Sequence, residues 1–191
     1  MKRLILASTS PRRRDLLMQV GLNFEVVPSS VEEEHQDGLS PLEVARTLAR
    51  EKASDVASRL SSGIVIGADT IVVLEGEILG KPKDPEDAFQ ILRKLSGRSH
   101  DVITALALID IDSGKMITGE EITRVFFKEM IDQEISAYIS TGEPMDKAGA
   151  YGIQGRGILF VRRIEGCYTN VVGLPMMKLT EMLSEMGVRI L

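Results

Sequence analysis

Residues Gly63-Ile-Val-Ile-Gly67-Ala-Asp69-Thr70-Ile-Val-Val-Leu74-Glu-Gly76-Glu-Ile-Leu-Gly80-Lys81-Pro-Lys-Asp84-Pro-Glu-Asp87 decide how the chain is read. The run from Ile64 to Leu74 is apolar and rich in β-branched side chains, which suits a buried strand. Asp69-Thr70 interrupts it once. The chain then turns at Glu75-Gly76-Glu77 and ends in the step Lys81-Pro82. A carboxylate inside an apolar strand costs desolvation energy unless it has a partner. Two readings are open for Asp69: a strand-end cap for a neighbouring turn, or a carboxylate kept there for chemistry or for a metal.

The surrounding chain sets bounds. A length of 191 residues suits one domain with a proper core, and 43% hydrophobic and 27% charged residues are ordinary for a soluble globular protein. The apolar run after Met1-Lys-Arg is too short for a signal peptide, and none approaches membrane-spanning length. One cysteine allows neither an internal disulfide nor a thiolate zinc cluster, so a cytoplasmic location is expected. A net charge of −5, 4% aromatic residues and no Trp argue against a nucleic-acid polymer as partner, and no membrane partner is expected. A small polyanion remains open if some of the 23 Lys and Arg converge.

Leu4–Ala7 reads as a short strand. Ser10 as N-cap and Pro11 in the first turn start a helix that stops at Gly21. Arg12, Arg13 and Arg14 then fall where the helix dipole disfavours cations, which makes sense if an anion sits on the helix end; the alternative is a solvated basic patch. Phe24–Val27 is a second strand. Glu32-Glu33-Glu34 is either a solvated loop or the source of a Mg²⁺ ligand, and His35 is incidental. Ser40-Pro41-Leu42-Glu43 is a capping box opening a helix that Ser61-Ser62-Gly63 stops. Lys52 lies on its apolar stripe, either running its stem along the core or reaching into a site.

Asp84 caps the next helix, which ends at Ser96-Gly97. His100–Ile109 and a partner ending near Lys128 form a hairpin. Asp132 caps a short helix through Tyr138. Four glycines between Gly149 and Gly157, with a fifth at Gly142, leave little regular structure and allow close backbone approach to a ligand. Leu159–Val161 is strand-like, and the last helix covers Met176–Met186, its methionines serving as core filler. Alternating strands and helices with hairpins give a mixed α/β sheet. Gly76–Lys81 fails as a P-loop because its glycines have three residues between them and proline follows the lysine. His35 and His100 have no metal-ligand spacing, and Cys167 reads as a buried small hydrophobe.

Six segments, in order, resemble the Maf family: Leu6-Ala-Ser-Thr-Ser-Pro-Arg-Arg13, Gly67-Ala-Asp-Thr-Ile-Val72, Gly80-Lys-Pro-Lys-Asp84, Leu95-Ser-Gly-Arg-Ser-His100, Asp146-Lys-Ala-Gly-Ala-Tyr-Gly-Ile-Gln-Gly155 and Asn170-Val-Val-Gly-Leu-Pro175. The resemblance covers nearly the whole chain. It implies a two-lobed α/β fold like that of inosine triphosphate pyrophosphatases, with substrate in the cleft between lobes. Thr70 after the aspartate and the loop ending in Gln154 are similar to the branch acting on dTTP and UTP. By the same matching Asp69 is the proton acceptor, Arg12, Thr70 and Gln154 tune substrate choice, and Ser8, Arg13, Glu33, Lys52 and Lys81 contact substrate or metal. A divalent cation, Mg²⁺ or Mn²⁺, is implied at Asp69 and Glu33, acting on a nucleoside triphosphate. Asp69 would activate water directly or through that cation. A homodimer is a further expectation resting on the family alone. The alternatives are a nucleotide-binding regulator of septum formation independent of turnover, and a phosphatase removing only the γ-phosphate.

Overall fold

The computed structural model describes residues 2–32 and 38–190. Glu33 and His35 lie outside the described residues. The backbone is one mixed seven-stranded sheet flanked by helices. β1 (Leu4–Leu6) leads to α1 (Pro11–Gln19), β2 (Glu25–Val26), α2 (Pro41–Ala57), β3 (Ile64–Leu74), β4 (Glu77–Leu79) and α3 (Pro85–Leu95). β5 (Ser99–Asp110), β6 (Lys115–Phe127), α4 (Asp132–Ile139), β7 (Val161–Glu165), α5 (Tyr168–Val172) and α6 (Met176–Glu185) complete it. The strand order is β2-β1-β3-β5-β6-β7, with β4 also pairing with β3. No helix among the described residues is long and apolar enough to cross a membrane.

Local chemistry explains most boundaries. Ser40 and Glu43 form the reciprocal capping box at the start of α2, and Asp84 accepts from the Asp87 N–H at the start of α3. Glu75 and Gly76 both have positive φ, 50° and 86°, the twist a tight hairpin between β3 and β4 requires. Asp69 and Thr70 do not break β3. The strand runs unbroken, paired with β5 from Ile64↔Asp110 to Val73↔Asp101.

Several expectations are corrected. Leu159 and Phe160 belong to a 3₁₀ turn, Arg156–Phe160, and β7 begins only at Val161. The cap of α4 is Ile131, whose N–H donates to Glu134; Asp132 is the first helical residue. Between Gly142 and Gly157 the chain forms short 3₁₀ turns, and an unforeseen helix, α5, precedes α6. Helix α2 stops at Ala57, well before Gly63. Cys167 is half-buried rather than buried.

The core divides where the site lies. Side chains alternate along β3. Val65, Ile71 and Val73 pack under α2 with Ala45, Ala49 and Ala53. On the opposite face Ile64, Ile66 and Ala68 join one cluster with α1 and α6, whereas Val72 and Leu74 join another with α3 and α4. Thr70 falls between these two clusters. The edge of β3 away from β5 is interrupted as well. β1 covers residues 64–66 and β4 covers residues 72–74, and among the described residues no strand pairs with 67–71 on that edge. This notch in the sheet separates the two lobes.

Candidate active site

A cleft of about 840 Å³ opens at the notch. Its lining includes Ser8, Arg12, Arg13, Lys52, Asp69, Thr70, Lys81 and Gln154. Every predicted site residue among the described ones therefore lines one cavity, although they come from the segment after β1, α1, α2, β3, the segment after β4 and the glycine-rich loop. Glu33 lies outside the described residues. Arg14 does not line the cleft; it is exposed, 3.8 Å from Asp15.

Asp69 points from β3 toward α2 and is buried. Its Oδ1 accepts from Lys52 Nζ at 2.7 Å, which decides between the two readings of Lys52: the ammonium reaches inward. A close approach of helix and strand makes this possible. A Cβ on Gly67 would lie 2.4 Å from the Ala49 carbonyl oxygen and 2.8 Å from the Ala53 Cβ, so only glycine lets α2 sit this near β3. Asp69 Oδ2 is buried and accepts no hydrogen bond among the described residues. A buried carboxylate oxygen left this way fits an added donor or a hard cation. Asp69 is thus no strand-end cap.

Thr70 points to the other face, toward Arg13. The Arg13 guanidinium donates to the Gly173 carbonyl (Nε, 2.8 Å), Ser8 Oγ and the Ala68 carbonyl (Nη1, 3.2 and 2.9 Å) and Thr70 Oγ1 (Nη2, 3.0 Å). It therefore fills the uncovered edge of β3 and ties it to the start of α1 and the turn after α5. Thr70 Oγ1 also shares a hydrogen bond of 2.9 Å with the fully buried Thr104, its cross-strand partner. Asn170 donates to the Val102 carbonyl and Thr123 Oγ1, fixing α5 and with it Gly173. Arg12 faces Asp146 at 3.6 Å, so the basic helix start is split between one cleft-facing cation and one spent largely on internal bonds.

The far wall is the glycine-rich loop. Three of its glycines lie against side chains of the protein itself. A Cβ on Gly149 would strike Val72, on Gly152 Lys147, and on Gly155 the Glu143 carboxylate. Burial pushes the Glu143 carboxyl up, but the Arg156 and Gly157 N–H groups, the Tyr138 hydroxyl and the Lys147 charge outweigh it and hold it below its usual range. Tyr151 lines the cleft, and behind it His100 Nε2 meets the Tyr151 hydroxyl at 2.8 Å. Burial pushes His100 down from 6.5 to about 4, so the ring is neutral near pH 7. Glu143, Tyr138 and His100 were not singled out from the sequence as site residues. The forced glycine at 155 is the one signal that something occupies the space beneath the loop.

The family model described as Maf-like protein matches residues 3–186. The chain belongs to the Maf-like family. A dTTP/UTP pyrophosphatase of Pelotomaculum thermopropionicum is 52% identical over 191 residues, covering all of both chains. Another from Alkaliphilus oremlandii is 56% identical over 180 residues, covering 94% of this chain and 93% of its own. A solved nucleoside-triphosphatase, described as a dITP/XTP pyrophosphatase from Mycobacterium abscessus, is 19% identical. It covers 97% of this chain and 95% of that one with a TM-score of 0.46, a likeness too distant to bear on function. In this Maf-like chain five of the six signature segments line the cleft at the notch in β3, and the sixth, Leu95–His100, reaches it only through His100 behind Tyr151.

Proposed function

We propose that this chain hydrolyses dTTP and UTP between the α- and β-phosphates, releasing the nucleoside monophosphate and pyrophosphate. The observation that carries the reading is the buried Asp69, one oxygen held by Lys52 and the other without a hydrogen bond among the described residues, in a cleft lined by Arg12 and Lys81. Full-length relatives at about half identity bear the name dTTP/UTP pyrophosphatase, which supports the substrate class.

Asp69 Oδ2 would orient a water and take its proton as the water oxygen bonds to the α-phosphorus. The α-phosphorus–oxygen bond to the β-phosphate breaks, and the electron pair leaves with pyrophosphate. Lys52 sets the carboxylate in place. Arg12, Lys81 and the N-terminus of α1, whose Ser10 makes no side-chain cap bond, would hold the phosphates. Thr70 and Gln154 would meet the pyrimidine edge; the Gln154 amide offers both a donor and an acceptor, as the imide of thymine or uracil requires.

The Asp69 oxygen also fits a divalent cation, Mg²⁺ or Mn²⁺; Glu33, the second ligand that the family resemblance implies, lies outside the described residues. Among the described residues no group of three His, Cys, Asp or Glu could hold a metal, so phosphate oxygens and water would complete the shell. When bound, such a cation would neutralise phosphate charge. The test is a panel of nucleoside triphosphates scored for pyrophosphate with Mg²⁺ or Mn²⁺. Asp69→Asn should lose turnover while nucleotide binding persists. Orthophosphate as the product, or normal pyrophosphate release by Asp69→Asn, overturns the reading.

A further inference from the structure

Gln154 stands at the corner of a tight turn that Gly155 N–H closes onto the Gly152 carbonyl at 3.4 Å. The turn is pinned from behind. The Tyr138 hydroxyl, on α4, accepts from the Gly152 N–H at 3.2 Å and donates to Glu143 Oε1 at 2.8 Å. The same carboxylate accepts from the Gly157 N–H (Oε1, 3.2 Å) and the Arg156 N–H (Oε2, 2.9 Å). Both arms of the turn are thus tied to one hydroxyl–carboxylate pair. Tyr138 is buried, so its own two bonds are partly shielded from water, whereas the Arg156 bond is exposed. Gly155 completes the fit, because any Cβ there would lie 2.3 Å from Glu143 Oε1.

We infer that Tyr138 and Glu143 are specificity-positioning residues, which fix the direction in which Gln154 presents its amide to the pyrimidine. The inference rests on the reading of the cleft proposed above. Neither residue lines the cleft, so each acts on the substrate only through the turn. An amide side chain reads an imide edge only when its two ends are held in register with it, since rotation by half a turn exchanges donor for acceptor. A loosened turn therefore degrades recognition of thymine and uracil more than capture of the phosphates.

Tyr138→Phe removes the hydroxyl, Glu143→Gln replaces one acceptor oxygen by a donor, and Gly155→Ala displaces the carboxylate without altering it. Each is expected to lower the ratio of kcat/KM for dTTP over dCTP about tenfold, the worth of one ordinary hydrogen bond. Inhibition by inorganic pyrophosphate should stay within about twofold of the parent, because phosphate capture is separate from the turn. Adding Gln154→Ala to Glu143→Gln should change the ratio little further, as both act on one contact. Thermal melts identify folded variants, and Tyr138→Phe, the smallest change, serves if the others do not fold. A parent-like base ranking in the folded variants, or equal losses in ranking and in pyrophosphate inhibition, overturns the inference. Failure of the parent enzyme to prefer dTTP and UTP would instead sink the proposed function, and needs no variant to detect.

Discussion

Lys52→Met removes the ammonium from the centre of the site while keeping most of the side chain's length and volume. In the parent, Lys52 Nζ lies 2.7 Å from Asp69 Oδ1, and the two side chains are only 10% and 6% exposed. Solvent screening is weak there, and Asp69 Oδ2 has no hydrogen bond among the described residues to fall back on. The variant buries a carboxylate stripped of its counter-ion. Removing one partner of such a pair costs about 3–5 kcal/mol, against a total stability of about 5–15 kcal/mol for an ordinary domain. Urea unfolding at pH 7 should show the midpoint falling by that equivalent with an unchanged slope. Lys52→Met combined with Asp69→Leu should recover much of the loss, since replacing both charges removes the orphan. A single variant within about 1 kcal/mol of the parent at pH 7, below what a broken buried pair costs, would refute the reasoning.

Gly67→Ala places a methyl 2.4 Å from the Ala49 carbonyl oxygen. It should cost about 1–3 kcal/mol in urea unfolding by overpacking and lower kcat by pushing α2, and with it Lys52, away from Asp69. Arg13→Lys keeps the charge but cannot hold Gly173, Ser8, Ala68 and Thr70 at once. A loss of about 2 kcal/mol or more is expected from broken charged hydrogen bonds, together with reduced kcat/KM; a lysine variant equal to the parent in both would show that charge alone matters. His100 binds its proton more weakly folded, near 4, than unfolded, near 6.5. Its contribution is thus fully present above about pH 6.5 and is lost as pH falls toward about 4, roughly 3 kcal/mol over that span. Stability measured from pH 7 to 4 should be flatter in His100→Phe.

Features governed by neighbours in sequence were legible before the structure. Ser40 and Glu43 make their capping box within four residues, and Glu75-Gly76 carries its turn in its own backbone. Helical spacing likewise placed Lys52 on a buried face, but periodicity identifies a face and not what lies across it; Asp69 is 17 residues away. Arg13 showed the same limit more sharply. Its position at a helix start suggested an anion, whereas Gly173, 160 residues on, supplies one of its acceptors. The glycine-rich loop shows a similar limit, because a glycine records that something comes close without saying what. At Gly155 the protein neighbour is Glu143. The three apolar residues from Leu159 to Val161 suit a strand or a tight turn equally. Helix α5 escaped because Tyr, Thr, Asn and Val are all weak helix formers and only five residues take part.

Asp69 and Thr70 are adjacent on one strand, so the carboxylate that meets Lys52 and the hydroxyl that meets Arg13 differ by a single step of the pleat. Sliding β3 by one residue against β5 would exchange their faces, presenting threonine to Lys52 and a carboxylate to Thr104. No side-chain replacement could mend that error. Length changes within Ile64–Leu74 should therefore be purged from functional descendants far more strictly than substitutions. Insertions should survive at Glu75-Gly76 and at the exposed turn around Gly114, where added chain leaves the ten paired positions from Ile64 to Val73 aligned.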